Sequence, residues 1–549
     1  MSGYDLNLPE RDESKRPRPF RPRRCTGRYD QASFGHEALD HGLFDTFPED
    51  DMEGEGKADY NRGVVAYERG DIEEAIASFR AAIEAAPTAI AARNNLAICS
   101  IQRGNLDAGL EMLLAIRDDV PDEPHVLRNI GVVYSMQGDH DKAIEALEQA
   151  SAAAPDQTEL LFLRATMHDR RGDHDKAVEC MVRASEIEPD SSAVFDNLGV
   201  VLHGAERLPE AIAAFERAIE LEPEQPLPYY NRGRALAAAG RVEEAAASFS
   251  RHLELEPEHS CAVYDLARAM SEGGKHEEAL EKFREYVVLE PEDPQGHCSL
   301  GIELMLTGKL DEAESPMRAA LGLDPWFDWA VGSLGSLAEF RGDYGLAEAF
   351  FREALLRDPE LDGVRGRWIR MLGSKISTEA ALAELRVNPL PSDAGNWASL
   401  MERLASDGKR DEAILVGREM ATRFADVFWV HGCFALCLAD SGKPEDALAE
   451  LREAVRLNPE DMVAHFHTGR ILCDLGRFKA AVPVLEYVHS RASGNPDTLR
   501  TLAFAHAMLD ETEKSREYAR QVLELSPDDP FAKEVLGLNP PDEDQDEKV

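Results

Sequence analysis

The chain has few aromatic residues, 7% of the total, and little positive charge, with 60 Lys and Arg against 104 Asp and Glu. The net charge of −44 sets the surface as a whole against phosphate backbones and anionic membranes, although a local basic patch can still act alone. Long apolar runs are also missing. The longest stretch free of Asp, Glu, Lys and Arg, Val427 to Ala439, falls short of the roughly 18 residues that a membrane span requires. The opening MSGYDLNLPERDESK has no apolar core for a signal peptide, and Asp5, Glu10, Asp12 and Glu13 are out of place in a mitochondrial presequence. A cytoplasmic location is expected, and no membrane partner. The 8 cysteines have no paired spacing, so reduced thiols are expected. Cys433 and Cys437 share a helix face at i and i+4, but a second pair at metal-site spacing is lacking, which favours packing over a metal.

Catalytic signatures are absent too. No HExxH, GxSxG or Walker-type loop occurs, Gly273-Gly274-Lys275 follows no strand, and His465 and His467 point in different directions on a helix. A non-enzyme without cofactor or metal is expected.

A repeat is what the chain does have. Prolines stand at 87, 121, 155, 189, 223, 257, 291, 325 and 359, each 34 residues after the last. With the proline placed thirty-second, the first unit runs from Gly56 to Ala89. Position 8 is then always small, from Gly63 and Ala97 to Gly301 and Gly335. Position 20 is Ala in all but one unit, and position 24 is bulky, as in Phe79, Leu113, Met181 and Phe351. Small residues on one helix facing large ones on the next suit two closely packed helices. The turn between them is often Gly-Asp or Gly-Lys, with glycine ending the first helix and acidic residues favouring the start of the second.

On these residues the sequence resembles the tetratricopeptide repeat (TPR) family: 34 residues, small at 8, Ala at 20, bulky at 24, Ala near 27 and Pro at 32. The resemblance implies an all-α fold, a right-handed α-solenoid of about fourteen helix-turn-helix repeats with disordered termini. Nine regular repeats span 56–361, a shortened degenerate one 362–393 and four more 394–529. Within the tenth, Ser377-Thr378-Glu379 opens a helix and Pro389-Leu390-Pro391 closes it. Residues 530–538 form a capping helix, flanked by an Arg/Pro-rich then acidic arm (1–55) and an acidic tail (539–549). Pro316 and Pro483 fall inside second helices and are expected to bend them.

The resemblance also implies a concave groove lined by first helices, with positions 2, 5, 6, 9, 12 and 13 facing inward. Position 6 holds Asn61, Asn95, Asn129, Asn197 and Asn231. Such a row of amides can bind an extended peptide through its backbone, and it is similar to the asparagine ladder of O-linked N-acetylglucosamine transferase, without that family's catalytic domain. Asparagine at position 6 has a purely structural reading as well. Tyr230 and Arg234, then Tyr264 and Arg268, occupy positions 5 and 9 of consecutive repeats and offer stacking and bidentate carboxylate capture, unless Asp196 and Asp265 neutralise the arginines. The carboxylate-clamp pattern of chaperone-binding relatives is not reproduced: Tyr60, Val64, Asn95, His125 and Asn129 match it once. Inward charges nearly balance, so the acidity belongs mainly to the outside. Trp326, Phe327, Trp329, Trp397, Phe428 and Trp429 flank or follow the shortened unit, where inter-repeat packing competes with a second docking surface.

The expected function is a non-catalytic protein-protein interaction scaffold or adaptor that binds extended peptide segments. Two alternatives stand beside it. Lys15, Arg16, Arg18, Arg21, Arg23 and Arg24 form an extended polycation that could anchor nucleic acid or another anionic partner. The array could also be a regulatory subunit of a separate enzyme such as a glycosyltransferase.

Overall fold

A computed structural model describes residues 6, 8–9, 55–359, 361–387, 390–492 and 494–538. The basic arm residues, Pro389 and the acidic tail lie outside these. The described residues hold 29 α-helices and no strand. The described helices form two compact units, one ending at Phe327 and the other beginning at Asp328. The first carries repeats one to eight, from the helix pair Glu55–Glu68 and Ile72–Ala85 to the pair Pro294–Leu306 and Leu310–Leu323. The second begins with Asp328–Phe340 and Tyr344–Arg357 and closes with Pro530–Leu536, which covers Leu499, Ala503 and Val522 of the last repeat.

Close approach of the two helices within a repeat sets the core. A Cβ on Gly63 would lie 2.6 Å from the Phe79 ring, one on Gly199 2.5 Å from Phe215, and one on Gly335 2.7 Å from Phe351. The rings therefore occupy the volume that a side chain at position 8 would need, and Phe79, Phe215 and Phe351 are fully buried. Repeat eleven keeps the volume but exchanges the roles. Its position 8 is Met401 and its position 24 is Gly417, where a Cβ would meet Met401 Sδ at 2.8 Å and Phe434 at 2.3 Å.

In every repeat but the tenth, the turn between the two helices ends at position 15 in the left-handed region. Glycine fills that slot in most repeats, with φ from +70° to +84° between Gly70 and Gly476. Glu206 in repeat five (φ 59°) and Asp510 in repeat fourteen (φ 60°) adopt the same conformation with a side chain, at a cost of about 1–2 kcal/mol. Pro316 and Pro483 leave their helices, Leu310–Leu323 and Phe478–Arg491, continuous.

Successive first helices are tied by a polar row. Position 5 of one repeat meets position 6 of the next: Tyr60 with Asn95 (3.3 Å), Asn94 with Asn129 (2.8 Å) and Asp196 with Asn231 (3.0 Å). Tyr230 with Asp265 (3.0 Å) and Tyr264 with Ser299 (3.1 Å) continue it. Seven residues further along the same helices, position 12 meets position 13, as Tyr67 with Gln102 and Ser135 with Arg170. Seven residues are about two turns, so both rows lie on one face of the first helices.

The tenth unit departs from the pattern. Helix Asp362–Met371 passes into a π-helical stretch, Leu372–Ile376, before helix Thr378–Val387 begins. The Ser377 hydroxyl caps that helix by accepting from the N–H groups of Glu379 and Ala380. The short return is held by a buried ion pair in which Arg365 donates to both oxygens of Asp393 at 3.0 Å, while the Leu390 N–H and Asn396 satisfy the same carboxylate. This partnering offsets the burial of two charges.

Two outcomes follow from these contacts. Glu206→Gly relieves the left-handed strain, and urea unfolding is expected to show a gain of about 1 kcal/mol in repeat five. A loss would show that the Glu206 side chain contributes more than its backbone costs. The second concerns Asp196, whose carboxyl is pushed up to about 6 by burial, against a smaller opposing effect of the Asn231 hydrogen bond. Because this lies above the value of about 3.9 for an unfolded aspartate, its contribution is most favourable below about pH 4, declines between about pH 4 and 6, and is flat above. The decline amounts to about 3 kcal/mol. Asp196→Asn retains the row and should remove that part of the pH dependence, so parallel pH profiles of variant and parent would contradict the assignment.

Candidate functional site

The face built by the first helices of the unit ending at Phe327 carries most of the residues singled out from sequence, but it uses them unequally. Asn95, Asn129 and Asn231 are buried at 0%, 1% and 4% exposure, and their amides join neighbouring helices. Three of the five position-6 amides are thus engaged between neighbouring helices. An amide held between helices registers the repeats, and reaching a ligand would require giving up a buried hydrogen bond. Asn61 is exposed, and Asn197 is half-buried with its Nδ2 donating to the Ala193 carbonyl. These two position-6 amides stand nearest to solvent.

The tyrosines are also divided between packing and display. Tyr230 is buried, with its hydroxyl on Asp265 and its ring against Phe249, His252 and His259. Tyr264 is half-buried, accepts from Gln295 Nε2 at 2.8 Å, and packs on Phe283 and Tyr286. Both rings form a floor. The arginines at position 9 stand four residues beyond these tyrosines, about one turn further along the same helices.

Arg234 is half-buried, with its guanidinium 5.9 Å from the Tyr230 ring centroid. Burial first, then the charge of Arg234, lowers the pKa of His203, so the neighbouring imidazole favours its neutral form. Arg268 is exposed and lies 3.7 Å from Asp265 and 3.8 Å from Glu272. Such long, solvated ion pairs contribute at most about 1 kcal/mol. Asp196 takes no part in neutralising the arginines through any hydrogen bond seen here, since its two oxygens accept from Asn231. Asp265 does so partly. The local chemistry is thus an aromatic floor with two cationic forks, suited to carboxylates and to peptide planes.

The remaining aromatics separate in the same way. Phe327 and Trp397 are buried, Trp326, Phe428 and Trp429 are half-buried, and Trp329 is 47% exposed. Beside the tenth unit, Leu355, Leu356, Trp368, Val387 and Leu390 line a hollow of about 640 Å³. Cys433 is half-buried and Cys437 buried, and burial raises the pKa of both thiols, which disfavours the thiolate.

Two positions escaped sequence reading. Position 27 is a small alanine in repeats one, three, four, five, eight, nine and twelve, yet it is His252 in repeat six and Tyr286 in repeat seven. Each faces a polar residue at position 34: His252 Nε2 lies 2.5 Å from His259 Nδ1, and the Tyr286 hydroxyl donates to Asp293 at 2.8 Å. The break in the alanine column was the available signal. Gly296 accommodates the larger Tyr286, whose ring lies 2.4 Å from where a Cβ would be.

No helix among the described residues is long and apolar enough to cross a membrane. Profiles described as tetratricopeptide repeat match residues 66–128, 135–198 and 236–297, residues 197–260 and 434–496, and residues 330–361. No curated protein matches the chain. Among solved structures, it is similar to a tetratricopeptide repeat protein from Parabacteroides merdae, with 16% identity over 43% of this chain and 93% of that one and a TM-score of 0.36. It is similar also to YrrB, described as a TPR protein with an unusual peptide-binding site (19% identity, 33% of this chain and 94% of that one, TM-score 0.29). A third is the Cut9–Hcn1 hetero-tetramer of the APC/C (11% identity, 88% and 96%, TM-score 0.38). With repeat matches over more than half its length and paired helices throughout the described array, the chain belongs to the tetratricopeptide repeat family.

Proposed function

We propose that the chain is a non-catalytic interaction scaffold that captures an extended segment of a partner protein across the first helices of repeats five to seven. The observation that carries the proposal is the placing of Arg234 and Arg268 at position 9 of consecutive repeats, Arg234 over the Tyr230 ring and Arg268 exposed beside Asp265. Asn197, in the first helix of repeat five, can add a backbone contact along the same face. An extended peptide presents a carboxylate or carbonyl to each guanidinium, and the half-buried Tyr264 supplies rigid apolar area beside it. The weak pairing of Arg268 with Asp265 and Glu272 is readily exchanged for a ligand carboxylate. The same economy of charge favours a partner segment with one or two acids over a highly basic one.

Screening the full chain against an array of acidic, extended peptides identifies a binder whose affinity can be followed by fluorescence anisotropy. Arg234→Ala and Arg268→Ala are each expected to weaken it about 10-fold or more, as loss of a charge-assisted hydrogen bond does, with the helical content unchanged. Salt should weaken the complex modestly compared with a polycation bound to phosphates. Full affinity in the double variant, or binding that requires residues 15–24 instead, would overturn the proposal.

A further inference from the structure

Beneath Tyr230, three side chains of repeat six converge in a way that the scaffold function does not use. His252 sits in the last turn of the second helix and is fully buried, Glu256 is its C-cap, and His259 is buried in the turn that leads to repeat seven. One ligand atom from each lies within 4.8 Å of the other two. His252 Nε2 is 2.5 Å from His259 Nδ1 and 3.9 Å from Glu256 Oε2. On its far side, His252 Nδ1 lies 2.9 Å from the carbonyl oxygen of Pro226. A carbonyl can only accept, so that contact places the proton on Nδ1 and turns the Nε2 lone pair toward Glu256 and His259. Fixing the outer nitrogen on a backbone carbonyl is the usual support of a metal-bound imidazole.

We infer that His252, Glu256 and His259 form a binding site for a divalent transition ion of the zinc class. Two imidazoles and one carboxylate suit that class, whereas Mg²⁺ and Ca²⁺ favour sets made of oxygen. At zinc–nitrogen bonds of about 2.0–2.1 Å, tetrahedral ligand atoms sit about 3.3 Å apart. The two nitrogens therefore part by less than about 1 Å, and Glu256, 31% exposed, swings inward. Binding moves the proton shared at His259 Nδ1 to Nε2 of the same ring, so none is lost. Water fills the fourth position on the side open beside Glu256. The ion cross-links the end of the second helix to the following turn, directly under the Tyr230 ring, which lies 5.0 Å from His259 and 5.4 Å from His252. It would thereby stiffen one floor tile of the proposed peptide site, although its existence does not depend on that reading.

The test uses the full chain stripped by a chelator and titrated with Co²⁺, followed by Zn²⁺. The expected result is one Co²⁺ with the visible absorption of a low-symmetry nitrogen and oxygen site, displaced by one equivalent of Zn²⁺. His252→Ala installs the residue that this slot carries in seven other repeats, so folding is retained, and it should weaken Zn²⁺ binding at least about 100-fold, more than loss of an outer-shell partner costs. Glu256→Gln, at a partly exposed position, should weaken it at least about 10-fold, and His465→Ala should leave it unchanged. Co²⁺ bound without that absorption, or with equal affinity in parent, His252→Ala and Glu256→Gln, would mean adsorption on the acidic surface and would overturn the assignment.

Discussion

The approach of two helices close enough that glycine or alanine faces an aromatic ring is the constraint on which the array depends. At Gly63, Gly199 and Gly335 no Cβ fits without displacing Phe79, Phe215 or Phe351. Overfilling such a contact typically costs 1–3 kcal/mol, and each repeat passes its geometry to the next, so an error in one spreads to its neighbours. The exchange at Met401 and Gly417 makes the same point from the other direction: volume is conserved across the pair while identity is not.

Once the pairs are formed, polar side chains set their register. The contacts between position 5 and the next position 6 bury asparagines, tyrosine hydroxyls and one aspartate that would be costly if left unmatched. Their geometry is directional, unlike the apolar core, and so fixes how one first helix slides against another. This also decides what remains for a ligand. Groups in this row belong to the scaffold, whereas position 9, about one turn further along, carries Arg234 and Arg268. A face can therefore be rich in polar residues and still present only a few of them to a partner.

Much of the fold was legible because its determinants are local and repeated. The proline column, the small residues at position 8 and the glycines at position 15 identify the helices and their turns without any knowledge of tertiary contacts. Partnering between repeats was not legible in the same way. Asn95 and Asn61 occupy the same repeat position, yet one is buried against Tyr60 and the other is exposed, because among the described residues no helix precedes the first repeat to supply a position-5 partner. His252 and His259 are seven residues apart and follow no familiar metal spacing, so only the fold brings their nitrogens together. The π-helical passage at Leu372–Ile376 likewise depends on packing and on the Arg365–Asp393 pair, neither of which a repeat template contains.

The proposed recognition of a ligand on the first helices of neighbouring repeats predicts where a bound peptide slows amide exchange. Hydrogen–deuterium exchange of the full chain, with and without a bound peptide, examines it directly. Protection should concentrate in Leu227–Ala238 and Ser260–Glu272 and leave the second helices Val242–Leu255 and His276–Leu289 nearly unchanged. Protection that appears mainly on those second helices, or within residues 1–55, would contradict the account.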